Sequence, residues 1–204
     1  MNEKMRMAER DLSARARLTF STGASVWAEG ENVVSFTVRE GADSPLLPGN
    51  VLCAEYELEL ANDDGQWRSG GALRGNRPLL GVTVELFVRC GGVDAACGVF
   101  VADEVRMDER GGTVRLCGGD SIGSEMAAEF RDGLSYPAAL SQIWAALVAQ
   151  TRYEWNGELP NGAAIVDARP EWNGASLRRA AGWIAQAAGC FVRVGRAGAL
   201  EAVP

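Results

Sequence analysis

Between Arg15 and about Gly118, apolar and polar residues alternate with a period of two. Successive side chains of a β-strand point to opposite faces, so each alternating segment has one apolar face. Turn sequences rich in Gly, Asn, Asp and Pro separate the segments. Six or seven such strands predict an N-terminal antiparallel β-barrel or sandwich. The clearest segments are Ala16-Leu18-Phe20, Val34-Phe36-Val38, Ala54-Tyr56-Leu58-Leu60 and Val82-Val84-Leu86-Val88.

After Gly119 the apolar period lengthens to that of a helix. A first helix is predicted to begin at Ser135-Tyr136-Pro137, with proline in its first turn. A second is predicted to open at residues 173–176 and to end at Gly189. A hairpin of residues 190–194 and 199–203 follows. We therefore expect a β domain over residues 1–119 and a small α/β domain over 120–204, which is an α+β chain. The predicted helical stripes are Leu140, Ile143, Trp144, Leu147 and Val148, and Leu177, Ala180, Ala181, Ile184, Ala187 and Ala188.

The composition excludes several classes of protein. The chain has 204 residues, of which 47% are apolar and 23% charged, enough for one large or two small packed domains. A net charge of -7 argues against a nucleic-acid-binding surface, which requires clustered cations. No apolar run approaches the ~18 residues of a membrane span, so we expect no membrane partner. The polar first residues lack the apolar segment of a secretory signal, which predicts synthesis in the cytoplasm.

The chain contains no histidine and five cysteines. Without imidazole the commonest general base and the usual serine and cysteine triads are missing. The cysteines show no Cys-x-x-Cys spacing for zinc. We therefore predict that the protein is not an enzyme, and we assign no catalytic, cofactor-binding or metal-binding residue and no cofactor. Cys90 and Cys97 flank a predicted hairpin loop of residues 91–96 and could face each other across the strands, although thiols are expected in the cytoplasm.

Two other features invite a functional interpretation. Residues 62–80 form a long loop with four glycines, and a loop of this length is usually functional or disordered. Trp67, Trp155 and Trp172 lie in predicted loops, where an indole is either part of the core or an anchor for a partner. Trp144 and Trp183 lie on the predicted helices, as core residues or at the rim of the core.

Glu55, Glu57 and Glu59 alternate with apolar residues, so the three carboxylates share one face of a predicted strand. This face is either a solvated outer surface or the lining of a channel. In a channel, negative charge would repel the phosphates of DNA and let it pass without sticking.

Three stretches of the sequence, taken in order, resemble a known family. The first is residues 52–60 (LCAEYELEL), after the strand ending in residues 34–38 (VSFTV). The second is residues 98–105 (GVFVADEV) followed by 112–122 (GTVRLCGGDSI). The third is residues 135–140 (SYPAAL), with 183–194 (WIAQAAGCFVRV) closing on 198–201 (GALE). Together they are similar to the N-terminal half of phage tail baseplate hub and tail-tip proteins, a prophage tail structural family.

The resemblance implies a β-barrel tube domain that self-associates, commonly as a trimer, into a ring that continues or caps the tail tube. It also implies an α/β insertion domain beside the tube domain. Other copies, other tail proteins and DNA passing without specific binding are the expected partners, and the virion tail is the expected location. Such hubs usually continue into a second tube domain. The alternative function is a carbohydrate-binding or cell-surface-binding accessory module that uses the tryptophan-bearing loops.

Overall fold

The computed structural model describes residues 12–41, 49–155 and 157–204. These residues divide into two compact units. The first contains residues 12–39 and 55–120, and the second contains residues 40–41, 49–54 and 121–204.

A seven-stranded sheet dominates the first unit. Its strands are β1 (Leu12–Thr19), β2 (Ser25–Glu29), β3 (Val33–Gly41), β4 (Cys53–Ala61), β5 (Thr83–Cys90), β6 (Val93–Asp108) and β7 (Thr113–Gly119). Their order in the sheet is β2-β1-β5-β6-β7-β4-β3, and β1–β2, β1–β5, β5–β6, β6–β7 and β4–β7 are antiparallel pairs. The antiparallel sheet is therefore confirmed, but the closed barrel is not, because in the described residues the sheet is open between β2 and β3.

The apolar face of this sheet is the core of the first unit. Leu18 lies directly opposite Val84, and Leu58 lies opposite Leu116, and all four side chains are fully buried. Directly opposed residues have the closest side chains in an antiparallel pair, so a period of two in sequence becomes a continuous apolar layer. The alternation that predicts these strands therefore also identifies the core.

Helices and short strands form the second unit. The helices are α1 (Ile122–Glu125), α2 (Leu140–Val148) and α3 (Leu177–Ala188). One short sheet pairs β8 (Ala138–Ala139) with β9 (Ile165–Val166), and another pairs β10 (Phe191–Val194) with β11 (Leu200–Val203). With the seven-stranded sheet they make the described chain α+β and mostly sheet.

The second unit packs around α2 and α3. The predicted apolar stripe of α2 is confirmed, since Leu140, Ile143, Trp144 and Leu147 are buried. However, α2 begins at Leu140 and not at residues 135–137. The amide of Ala139 donates to the side chain of Gln142, and the amide of Leu140 donates to a backbone oxygen of another segment.

Both ends of α3 agree with the sequence. Ser176 is the N-cap, and its hydroxyl accepts a hydrogen bond from the amide of Arg179. Gly189 ends the helix with a φ of 75°. This left-handed conformation is one that glycine adopts without a steric penalty.

A segment between β3 and β4 forms a β-bridge within the second unit. The amide of Leu52 donates to the carbonyl of Val192 at 2.7 Å, and the amide of Val192 donates to Asn50 at 3.1 Å. Val51 forms a parallel bridge with Val192. Residues 49–52 therefore run beside β10.

Candidate interaction surfaces

The other face of the seven-stranded sheet is charged. Along β1 and β5 the residues that alternate with the buried ones include Arg15, Arg17, Glu85 and Arg89, and Arg17 lies directly opposite Glu85. The two side chains form an ion pair with two hydrogen bonds. Hydrogen bonding to Glu85 is the largest influence on Arg17 and raises its pKa. A guanidinium that engages both carboxylate oxygens is held in one orientation.

Arg15 connects three strands of this charged face. Its guanidinium contacts Glu29 of β2 at 2.7 Å and Asp94 of β6 at 2.5 Å. Asp94 also accepts hydrogen bonds from Arg89 of β5. The bond from Arg89 and the nearby charge of Arg15 lower the pKa of Asp94, which therefore stays ionised at neutral pH. Such exposed pairs add little stability singly, but a network fixes where each charge lies.

Trp27, on the edge strand β2, lies within this network. Its ring is 5.5 Å from that of Phe87, and the guanidinium carbon of Arg15 is 4.3 Å from the centre of the indole. The side chain is nevertheless 39% exposed. An exposed tryptophan held in place by arginine has the properties of an interface anchor.

The predicted row of Glu55, Glu57 and Glu59 lies on the same charged face, because Tyr56, Leu58 and Leu60 between them are buried. Arg115 of β7 contacts Glu57 at 3.1 Å and Glu59 at 3.7 Å. One arginine thus contacts two of the three carboxylates, so the row of glutamates keeps an excess of negative charge.

The edge strand β3 has an incompletely covered apolar side. Val34, Phe36 and Val38 share one face of the strand; Val34 is 54% exposed and the other two are half-buried. Unpaired backbone groups and exposed apolar side chains at a sheet edge favour pairing with another chain.

The long loop of residues 62–80 is ordered by its own hydrogen bonds. The side chain of Arg74 donates to the carbonyl of Arg77 at 2.7 Å, and that of Arg77 donates to the carbonyl of Arg74 at 2.9 Å. Trp67 is fully buried, and its amide donates to the side chain of Asn62. Trp67 is therefore a core residue, and its interpretation as an anchor for a partner is wrong.

The remaining tryptophans belong to aromatic clusters of the second unit. Trp155 is half-buried and packs edge-on against the buried Trp144, with ring centres 5.0 Å apart. Trp172 is half-buried between Phe130 and Trp183. Trp183, which the sequence assigns to the core or its rim, is 37% exposed. Loop position alone did not separate anchors from core residues, because burial depends on contacts distant in sequence.

The five cysteines are thiols. The hairpin between β5 and β6 turns at Gly91 and Gly92, so Cys90 lies opposite Val93. Cys97 lies further along, where the register shifts opposite Leu86 and Phe87. Cys90 and Cys97 therefore do not face each other. The predicted loop of residues 91–96 was too long because β6 already begins at Val93.

No cluster of metal-binding groups is found in the part of the chain that the structure describes. There, no three His, Cys, Asp or Glu side chains are grouped to hold a metal ion. An apolar groove of about 810 Å³ in the second unit is lined by Trp144, Trp155 and Leu159, with Glu158 as the one acid among its described lining residues. No described helix has the length and apolar character to cross a membrane.

The sequence matches no protein-family model and no curated protein. Two solved structures share its fold. The tail protein from Neisseria meningitidis MC58 aligns with a TM-score of 0.54 and 14% identity, over 93% of this chain and 50% of that chain. The 43 kDa tail protein of prophage MuSo2 from Shewanella oneidensis aligns with a TM-score of 0.52 and 10% identity, over 94% of this chain and 52% of that chain.

The chain thus spans about half the length of both tail proteins. A Francisella PdpA-VgrG complex aligns over 78% of this chain and 25% of that chain, with 7% identity and a TM-score of 0.38, too low to indicate a common fold. The predicted resemblance to prophage tail proteins is confirmed in its fold.

Proposed function

We propose that this chain is a structural component of a phage or prophage tail hub or baseplate, which self-associates to continue or cap the tail tube. The observation that carries the proposal is an open seven-stranded sheet with the fold of two phage tail proteins. The likeness supports a tail role, and the two sheet edges support self-association. The protein would act by assembly and not by catalysis.

The parts of the chain would divide this work. The sheet-forming region within residues 1–119 would be the tube domain, and the helical region within 120–204 would lie beside it in the tail. Three copies would form a ring with the charged face towards the channel, and their neighbours would be other tail proteins. The excess negative charge near Glu55 would keep passing DNA from adhering. The chain would be made in the host cytoplasm, become part of the virion tail and need no membrane or cofactor.

The two sheet edges are the surfaces through which copies would associate, β2 of one copy against β3 of the next. Trp27 is exposed on β2 and Val34 on β3. Such head-to-tail contacts generate a ring when the rotation closes. Joining the edges would also cover the apolar side of β3.

Light scattering and mass photometry on the purified chain test the proposal. The wild type should form a trimer, and Trp27→Lys and Val34→Lys should each give monomers. A mixture of the two variants should give a one-to-one pair, because each variant retains the edge that the other lacks. Ile165→Lys changes a side chain in the second unit that is 62% exposed, and it should leave the trimer unchanged.

A wild type that is monomeric at every concentration would contradict self-association. Oligomers that survive both edge substitutions would locate the interface elsewhere. The alternative of a carbohydrate-binding module has weak support, since Trp67 is buried and Trp155 and Trp172 are packed in clusters.

A further inference from the structure

A second surface, independent of the sheet, lies along the first turns of α3. A pocket of about 400 Å³ opens there, and none of its described lining residues is acidic. The described side chains used for binding here are Arg179 and Trp183.

Arg179 and Trp183 form the exposed part of this pocket. They are four residues apart on α3 and so lie on one face of the helix. The guanidinium carbon of Arg179 is 5.0 Å from the centre of the Trp183 ring, and Trp183 is 37% exposed. No ion pair to Arg179 is found among the described residues.

The Trp183 ring is held in place from beneath. Trp172 stacks with it at 5.7 Å and an interplanar angle of 23°. The indole nitrogen of Trp172 donates to Asp132 at 2.8 Å, which fixes that ring in turn. A ligand that contacts Trp183 would thus meet a pre-ordered side chain, which reduces the entropy lost on binding.

The backbone at the start of α3 does not contribute to the site. The amide of Leu177 donates to the carbonyl of Ala128 at 2.8 Å, and that of Arg178 donates to Met126 at 3.0 Å. The amide of Arg179 donates to the Ser176 hydroxyl. An anion in this pocket would be held by side chains.

We propose that the α3 pocket binds an acidic segment of a neighbouring protein. A carboxylate of the segment would accept two hydrogen bonds from the guanidinium of Arg179. An apolar side chain of the segment would pack on the exposed indole of Trp183. Tryptophan and arginine are the residue types that most often dominate interface energies, and the positive charge of Arg179 complements acidic partners. This inference does not depend on a role in the phage tail.

Fluorescence anisotropy of a labelled peptide that alternates glutamate and leucine tests the site on the full chain. The peptide should bind, the affinity should fall with salt, and the same peptide with glutamine in place of glutamate should not bind. Arg179→Ala and Trp183→Ala should each weaken binding about tenfold. Arg196→Ala removes an exposed arginine from a turn of the same unit and should have no effect.

The outcomes distinguish the proposal from simpler explanations. Equal binding by the wild type, Arg179→Ala and Trp183→Ala would overturn it, and so would absence of binding. If inorganic phosphate displaces the peptide and Trp183→Ala has no effect, the pocket is a simple anion site and the proposal is also overturned. Both substituted side chains are exposed, and circular dichroism melting verifies that the variants fold.

Discussion

The carboxylate of Asp132 accepts a hydrogen bond of 2.8 Å from the indole nitrogen of Trp172, 40 residues further along the chain. The same carboxylate accepts hydrogen bonds from the hydroxyl of Tyr136 at 2.7 Å and from the amide of Leu134 at 3.0 Å. Its side chain is only 2% exposed, and Arg169 lies 3.7 Å away. One buried charge therefore joins two loops of the second unit.

We expect Asp132→Ala to destabilise the second unit by about 2–4 kcal/mol, because it leaves the Trp172 and Tyr136 donors without their acceptor. Burial alone would raise the pKa of Asp132, but the hydrogen bonds and the charge of Arg169 lower it overall. Stability from this group is therefore present above its unfolded-state pKa of about 4 and is lost as the pH falls through the lower folded-state value.

Urea unfolding followed by tryptophan fluorescence measures both effects. Asp132→Asn should remove this acid-dependent loss of stability. Asp167→Asn, at an exposed position of the same unit, should behave as the wild type. An Asp132→Ala protein as stable as the wild type would show that the carboxylate does not join the loops.

Trp67 supplies a second prediction, because this residue of the 62–80 loop is fully buried. Trp67→Ala should lower the free energy of unfolding by about 3–5 kcal/mol through the cavity it leaves. Arg68→Ala changes the exposed neighbour and should cost less than about 0.5 kcal/mol. Chemical denaturation of the two variants is the measurement, and equal stabilities would return Trp67 to the role of a surface anchor.

Replacing Gly182 tests whether its close contact with Gly49 holds residues 49–52 in place. A β-carbon at Gly182 would lie 2.7 Å from the carbonyl oxygen of Gly49, so alanine would push the two segments apart. We expect Gly182→Ala to destabilise the protein by about 1–3 kcal/mol, although alanine favours a helix by about 1 kcal/mol. Gly123→Ala, in α1, meets no atom within 4 Å and should be neutral or stabilising. Thermal melting compares them, and a stabilised Gly182→Ala protein would contradict the close contact.

The acidic row yields a prediction about DNA. Changing Glu55, Glu57 and Glu59 to lysine replaces a negative charge with a positive one at each position, and it removes both carboxylates that contact Arg115. The wild type should not retain DNA at about 0.1 M salt, whereas the triple variant should bind it with a strong salt dependence. In a phage that carries the variant, assembly should survive and DNA ejection should slow. Unchanged ejection would show that Glu55, Glu57 and Glu59 do not line a channel through which DNA passes.

The strands were predictable because a period of two is a local property and every buried residue of β1, β4 and β5 follows it. Whether the sheet closes was not predictable, since closure depends on which distant edges meet. The exposure of Trp183 and the burial of Trp67 likewise arise from packing between remote segments. The start of α2 was wrong because partners beyond residue 160 bond its first amides.

The β-bridge at Val51 affects how the chain can be divided and synthesised. The polypeptide leaves the β-sheet unit after Arg39, contributes residues 49–52 to the helical unit and returns to the sheet unit at Glu55, within β4. Cutting the chain once near residue 119 would therefore leave residues 49–52, which belong to the helical unit, on the fragment that carries the sheet. During synthesis, Val51 emerges from the ribosome well before Val192, so this part of the helical unit must remain unfinished until the end of the chain is made.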